Sequence, residues 1–242
     1  MSDKMSDKKT AIVTGAAGGI GAGLVEGFLK EGYNVVATSL RATRSLTPSP
    51  CLVLVDGDIS QQETAIQTTQ AAIAHFGTVD VLVNNAGIFR TKPFTEFTTE
   101  DFHALVSINL LGFVYMTQLT VKQMLKQKSG NVVTISAALA DQPFAGENAS
   151  VSMITKGGLN TVTRSLAIEY AKEGIRFNAV APGVVDTALH EDNSKESLKT
   201  FQPMGKIVEV KDVVDAVLYL AQAGQVTGEI LRVDGGAHAG RW

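Results

Sequence analysis

The chain is short of cysteine, tryptophan, tyrosine and net charge. Cys51 is the single cysteine among 242 residues, which excludes an internal disulfide and fits a reducing, cytoplasmic setting. It has no second cysteine or histidine at ligand spacing, so it reads as strand packing, and no metal site is expected. Lys and Arg number 21 against 24 Asp and Glu, a net charge of −3, which leaves no basic footprint for nucleic acid. No apolar run reaches the roughly 18 residues of a membrane span, and no signal-like apolar segment is expected. Tyrosine is absent between Tyr115 and Tyr170. That gap matters for the chemistry below.

What is present is a chain 45% hydrophobic, enough to bury a large core as one α/β domain over residues 10–242. The opening Met-Ser-Asp-Lys-Met-Ser-Asp-Lys is a direct repeat. It reads as an appended or doubled start, so residues 1–9 are set apart as a disordered or extraneous terminus. From Thr10 onward short apolar runs alternate with helical patterns. Strands are expected at 10–13, 34–39, 52–55, 79–83, 131–136, 176–181 and 230–233. Helices are expected from Ile20, over 61–76, over 99–128, over 150–173 and over 210–220, with Gly77 and Gly174 as stops. Leu40–Pro50 is polar with two prolines and reads as a loop. The strands are continuously apolar, as a parallel sheet covered on both faces requires. The pattern specifies one doubly wound α/β unit with a mostly parallel sheet.

The organising stretch is Thr14-Gly15-Ala16-Ala17-Gly18-Gly19-Ile20-Gly21, between the first strand and the first helix. Such a junction aims backbone N–H groups and the positive end of a helix dipole at one point, where a pyrophosphate fits. Gly15 makes the tight turn, Gly19 allows close approach and Gly21 allows close helix–sheet packing. Three glycines at this spacing are weak evidence alone.

Further on stand Asn84-Asn85-Ala86-Gly87, Asn109, Lys156, Pro182-Gly183 and Val233-Asp234-Gly235-Gly236. Together with the glycine turn, this order resembles the short-chain dehydrogenase/reductase family over essentially the whole chain from Thr10. The resemblance implies a single-domain Rossmann fold with a seven-stranded sheet in the order 3-2-1-4-5-6-7, a bound nicotinamide dinucleotide, hydride transfer to or from a small carbonyl or alcohol substrate, and a homotetramer. It also implies a cofactor site of Gly15, Gly19, Ile20, Gly21, Ser39, Arg41, Asp58, Ile59, Asn85, Ala86, Gly87, Lys156, Pro182, Gly183, Val185 and Thr187. Within that set, Asp58 meets the adenine edge unless it serves only as an acid near a helix N-cap. Asn85 ties the central strands, Lys156 meets the nicotinamide ribose, and Thr187 with the Pro-Gly turn holds the carboxamide. The end of the second strand decides the form of the dinucleotide. Ser39 stands where an NAD site places an acid, and Arg41 and Arg44 follow, so NADP(H) is expected.

The catalytic half departs from the family pattern. The position four residues before Lys156 carries Ser152 where the family has a tyrosine. At the end of the fifth strand Ala137 stands where a serine is usual, with Ser136 one residue earlier. A phenol, with a reference pKa near 10, can be tuned for proton transfer; an aliphatic hydroxyl cannot take that role unaided. The candidate catalytic set is therefore Asn109, Ser136, Ser152 and Lys156, with Lys156 as donor, directly or through a water held by Ser152 and Asn109. On that reading a tyrosine restored at position 152 raises or preserves activity. Asp141, Glu147, His190 and Tyr115 are further candidates for the missing acid. Phe89, Phe144, Leu189 and Phe201 are candidates for an apolar substrate pocket, and Trp242 for a subunit contact. Two functional classes stay open: an oxidoreductase with an altered proton relay, or a dinucleotide-binding sensor or partner subunit without turnover.

Overall fold

The computed structural model describes residues 8–187 and 194–240. Seven parallel strands form one sheet in the order β3-β2-β1-β4-β5-β6-β7. They are β1 (Thr10–Thr14), β2 (Asn34–Ser39), β3 (Leu52–Asp56), β4 (Val81–Asn84), β5 (Gly130–Ile135), β6 (Ile175–Pro182) and β7 (Ile230–Val233). The larger helices are α1 (Gly19–Lys30), α3 (Gln62–Phe76), α5 (Gly112–Gln127), α6 (Ser150–Glu169) and α8 (Val210–Gln222). Short helices α2 (Ala42–Ser45), α4 (Thr99–Leu105) and α7 (Lys195–Lys199) lie between them.

The apolar strand runs are explained by two cores. Ala11 and Val13 of β1 pack with Leu24, Val25 and Phe28 of α1 and Val213, Val217 and Leu220 of α8. Ile12, between them in sequence, faces the opposite way and joins Ala65 and Ala72 of α3 with Met116 and Met124 of α5. Side chains of period two thus enter opposite layers, and every β1 position is buried. Gly77 ends α3 in the left-handed conformation at φ 79°, as the sequence predicts.

Three differences from these expectations stand out. The expected loop 40–50 contains the single turn α2, whose Thr43 donates its N–H and hydroxyl to Asp56 at the end of β3. Cys51 lies in the turn before β3 instead of packing within a strand. The expected helix 99–128 is continuous through Gln127, but Val106–Leu111 is wound as a π-helix. This helical run is also long and apolar enough to cross a membrane by length and composition, with a mean hydropathy of 1.5 in its best window, although 44% of that window is buried. Its burial comes from packing on α3 and the sheet.

Candidate active site

All seven strands end at the same edge of the sheet, and the glycine turn leaves β1 there. Gly15 is left-handed at φ 65°, and a Cβ on it would lie 2.8 Å from Ala86 Cα. A Cβ on Gly21 would lie 2.0 Å from Gly15 O, so the helix sits against the turn only because position 21 has no side chain. The start of α1 suits a phosphate. Its N-cap Gly18 offers no side-chain cap, and its first turn holds no acid, which leaves N–H groups for an outside acceptor. Ile20 packs against the α1 core, and Thr187 Cγ2 lies 3.3 Å from a Cβ built on Gly19. The cradle therefore fits a dinucleotide pyrophosphate.

Thr14 binds the turn to β4, a role the sequence reading missed. Its hydroxyl accepts from Asn85 N at 3.0 Å and Ala86 N at 2.9 Å. Asn85 Nδ2 returns bonds to Thr14 O at 2.9 Å and Gly15 O at 3.2 Å. Asn85 thus joins the ends of the two central strands.

At the outer end of β2, Ser39 Oγ accepts from Arg41 N at 3.3 Å. Arg41 and Arg44 are exposed, and neither makes an ion pair among the described residues. The sheet brings an acid that linear distance concealed, because Asp56 pairs in register with Ser39. Its carboxylate is taken by Thr43, which also lowers its pKa. Asp58 Oδ1 accepts from Ser60 N at 2.9 Å, but the N-cap of α3 is Gln61. Ile59 packs under Gly112.

The floor of the cleft is made by Gly87, Asn109 and Lys156. A Cβ on Gly87 would lie 3.1 Å from Asn109 Oδ1 and 3.3 Å from Lys156 Nζ. The π-turn buries Asn109, which closes a two-bond clasp on Ile88: Nδ2 donates to its carbonyl at 2.9 Å, and Oδ1 accepts its N–H at 2.8 Å. Asn109 Nδ2 also meets Thr155 Oγ1 at 2.9 Å. Lys156 is 8% exposed and donates to Ile135 O at 3.0 Å. Burial disfavours its ammonium and lowers its pKa to about 8.

The two serines face elsewhere. Ser136 Oγ donates to Lys156 O at 3.3 Å. Ser152 is fully buried; its Oγ accepts from Arg90 N at 2.9 Å and donates to Arg90 O at 2.8 Å. A hydroxyl has one proton, and that of Ser152 is committed to Arg90. The expected water held beside Lys156 by Ser152 therefore lacks that partner. Asp141 is paired with Arg232 at 2.6 Å and accepts from Asn160, so it is no free acid. Tyr115 packs against the α3–α5 core. Glu147 and Phe89 carry no bond into the Gly87–Asn109–Lys156 floor among the described residues.

Phe144, on the segment before α6, stacks near Phe201 at 6.1 Å between ring centres, so two of the four apolar candidates do meet. His190, Leu189, Arg241 and Trp242 lie outside the described residues. Beyond the glycine turn, Gly183 N donates to Val233 O at 2.9 Å, and Val185 bridges to Val208. Asp234 holds Gly236 N, His238 N and the His238 ring, which fixes the Val233–Gly236 turn under Pro182-Gly183.

A family model described as enoyl-(acyl carrier protein) reductase matches residues 15–238. Carbonyl reductase family member 4 of Xenopus laevis is 33% identical over 232 residues, covering 94% of this chain and 97% of that protein. Among solved structures, ElxO with NADP bound superposes with a TM-score of 0.89 at 29% identity, over 96% of this chain and 100% of the other. A 3-ketoacyl-(acyl-carrier-protein) reductase from Brucella melitensis, complexed with NADH, has a TM-score of 0.89 at 30% identity, over 97% and 100%.

Proposed function

The chain belongs to the short-chain dehydrogenase/reductase family of NAD(P)-dependent oxidoreductases, and from that premise we propose that it interconverts a carbonyl and an alcohol with NADP(H), using Lys156 as the proton donor where a tyrosine is usual. The observation that carries this reading is the buried ammonium of Lys156 against Gly87 and Asn109, with both nearby serine hydroxyls bonded to backbone.

A bound nicotinamide dinucleotide supplies the hydride. Gly15, Gly19 and the start of α1 receive its pyrophosphate, Asp58 its adenine edge, and the segment Pro182–Thr187 its carboxamide. Lys156 holds a proton at Nζ and delivers it to the substrate oxygen as negative charge develops there. In the oxidising direction its neutral amine takes the proton back. Asn109 keeps Ile88 and Thr155 in place around the lysine.

Arg41, aided by Arg44, is the group that selects the 2′-phosphate. NADPH is expected to bind at least about tenfold tighter than NADH, a difference of about 1.4 kcal/mol, and Arg41→Ala to erase most of that preference. Equal affinities in fluorescence titration would remove this part of the reading. Assembly as a homotetramer is supported by apolar side chains left in solvent on α5 and α6, among them Val114, Leu125, Ile154 and Ile168. Light scattering at micromolar concentration is expected to give four times the chain mass, and a monomer contradicts it.

One observation favours a second reading. The hydroxyls of Ser136 and Ser152 are withdrawn from the cleft, as a dinucleotide sensor or partner subunit without turnover would tolerate. A screen of carbonyls and alcohols followed at the nicotinamide absorbance separates the two readings. NADPH binding without any turnover selects the sensor.

A further inference from the structure

Two cations, Arg90 and Lys92, follow closely on Ile88, which Asn109 clasps at the floor of the cleft, and both are held more firmly than a surface pair requires. Asp101 is buried and accepts from both Arg90 NH1 and Lys92 Nζ. It also forms a capping box with Thr98 at the start of α4. Lys92, the Thr98 N–H and Arg90 hold its carboxyl far below the usual carboxylate range. The backbones of both cations are fixed as well. Ser152 clasps the N–H and carbonyl of Arg90, and Lys92 N donates to Asn148 O at 2.8 Å. These tethers attach the segment 90–92 to the chain entering α6, one helical turn, or about 6 Å, before Lys156.

One carboxylate against two cations leaves a formal charge of +1. Arg90 engages a single guanidinium nitrogen in this cluster, so the rest of its five-donor fork is left, together with further ammonium protons of Lys92. Both side chains are partly exposed, at 41% and 39%. Glu147 is next to Asn148 but pairs with neither. A fork with its backbone locked and one edge held by a buried acid has little ordering entropy left to lose when it meets a planar anion.

We propose that Arg90 and Lys92 form a carboxylate subsite, and that the substrate is an oxo acid or hydroxy acid whose carboxylate lies a few bonds from the reacting carbon. The subsite selects substrate; Lys156 does the chemistry. The inference rests on the reading of Lys156 and Asn109 as the reacting centre.

The test compares levulinate with methyl levulinate, which differ in the anion alone. With NADPH, kcat/KM is expected to be at least about tenfold higher for levulinate, with the difference in KM. Arg90→Gln and Lys92→Gln are each expected to bring the acid-to-ester ratio towards one. Lys92→Gln is the safer variant, because Arg90 still neutralises Asp101 in it. A second readout needs no turnover: levulinate at millimolar concentration raises the melting temperature of the NADP-loaded protein, and the ester does not. Reduction of both compounds at equal kcat/KM, or no stabilisation by levulinate, overturns the subsite and leaves the proposed activity standing. Stabilisation by levulinate alone without reduction of either compound keeps the subsite and removes the proposed activity.

Discussion

Lys156→Met is expected to lower carbonyl reduction by about 10²–10⁴-fold, the range typical of a lost general acid, while NADPH still binds. Methionine nearly matches the length of the lysine stem and suits a site only 8% exposed, so the cleft keeps its shape. What disappears is the proton and the bond to Ile135 O. No neighbour replaces it: Ser152 donates to Arg90 O, Ser136 donates to Lys156 O, and position 137 is alanine. Asn109 stays bonded to Ile88 and Thr155, so the collapse of rate is not a collapse of structure. Steady-state rates and NADPH titration on the same preparation separate the two, and a variant as active as the parent sinks the donor assignment.

Ser152→Ala is expected to act on stability before rate. It removes both bonds to Arg90 and leaves a partly buried N–H and carbonyl without partners, at about 1–3 kcal/mol for each unsatisfied group. For a chain of this size the two together lower the melting temperature by roughly 4–24 °C. Calorimetry reads it directly. A serine that merely held a water near Lys156 gives the opposite pattern, a lower rate at unchanged stability. The same clasp changes the expectation for Ser152→Tyr. In sequence, restoring the phenol looks like a repair. In the structure the substitution removes both bonds to the Arg90 backbone and adds a ring at a fully buried position, so it is expected to lower stability and to loosen the Arg90–Asp101–Lys92 cluster.

The strands were legible because they are continuous apolar runs, and two helical ends because glycines mark them, whereas the sheet order came from the family resemblance. Gly77 and Gly174 show this well, since both are left-handed at the ends they were expected to mark. The phosphate cradle was legible for a similar reason: Gly15 is required by its own left-handed φ of 65°, and Gly21 by contact with Gly15 O in the same turn. What stayed hidden depended on distant parts of the chain. The pairing of Ser39 with Asp56 comes from sheet register. The inward turn of Asn109 comes from a π-turn that apolar periodicity does not encode. The Ser152–Arg90 clasp joins residues 62 apart, and no local pattern announces it. Asp101 was within reach, since Thr98 followed three residues later by an acid, ahead of an apolar run, is a capping-box signature. Its two cationic partners were not.

The pH dependence of reduction tests the central claim most directly. Lysine in the unfolded chain keeps its proton to about 10.5, whereas buried Lys156 releases it at about 8. The folded protein therefore binds fewer protons between those values, and its stability rises with pH across that window. Catalysis runs the other way. If the ammonium is the donor, kcat for reduction at saturating NADPH holds level below about pH 8 and falls tenfold per unit above it. The oxidation rate rises through the same ionisation. The account predicts that this fall at high pH is absent from the residual activity of Lys156→Met; a profile level beyond pH 8, or a fall that Lys156→Met retains, contradicts it.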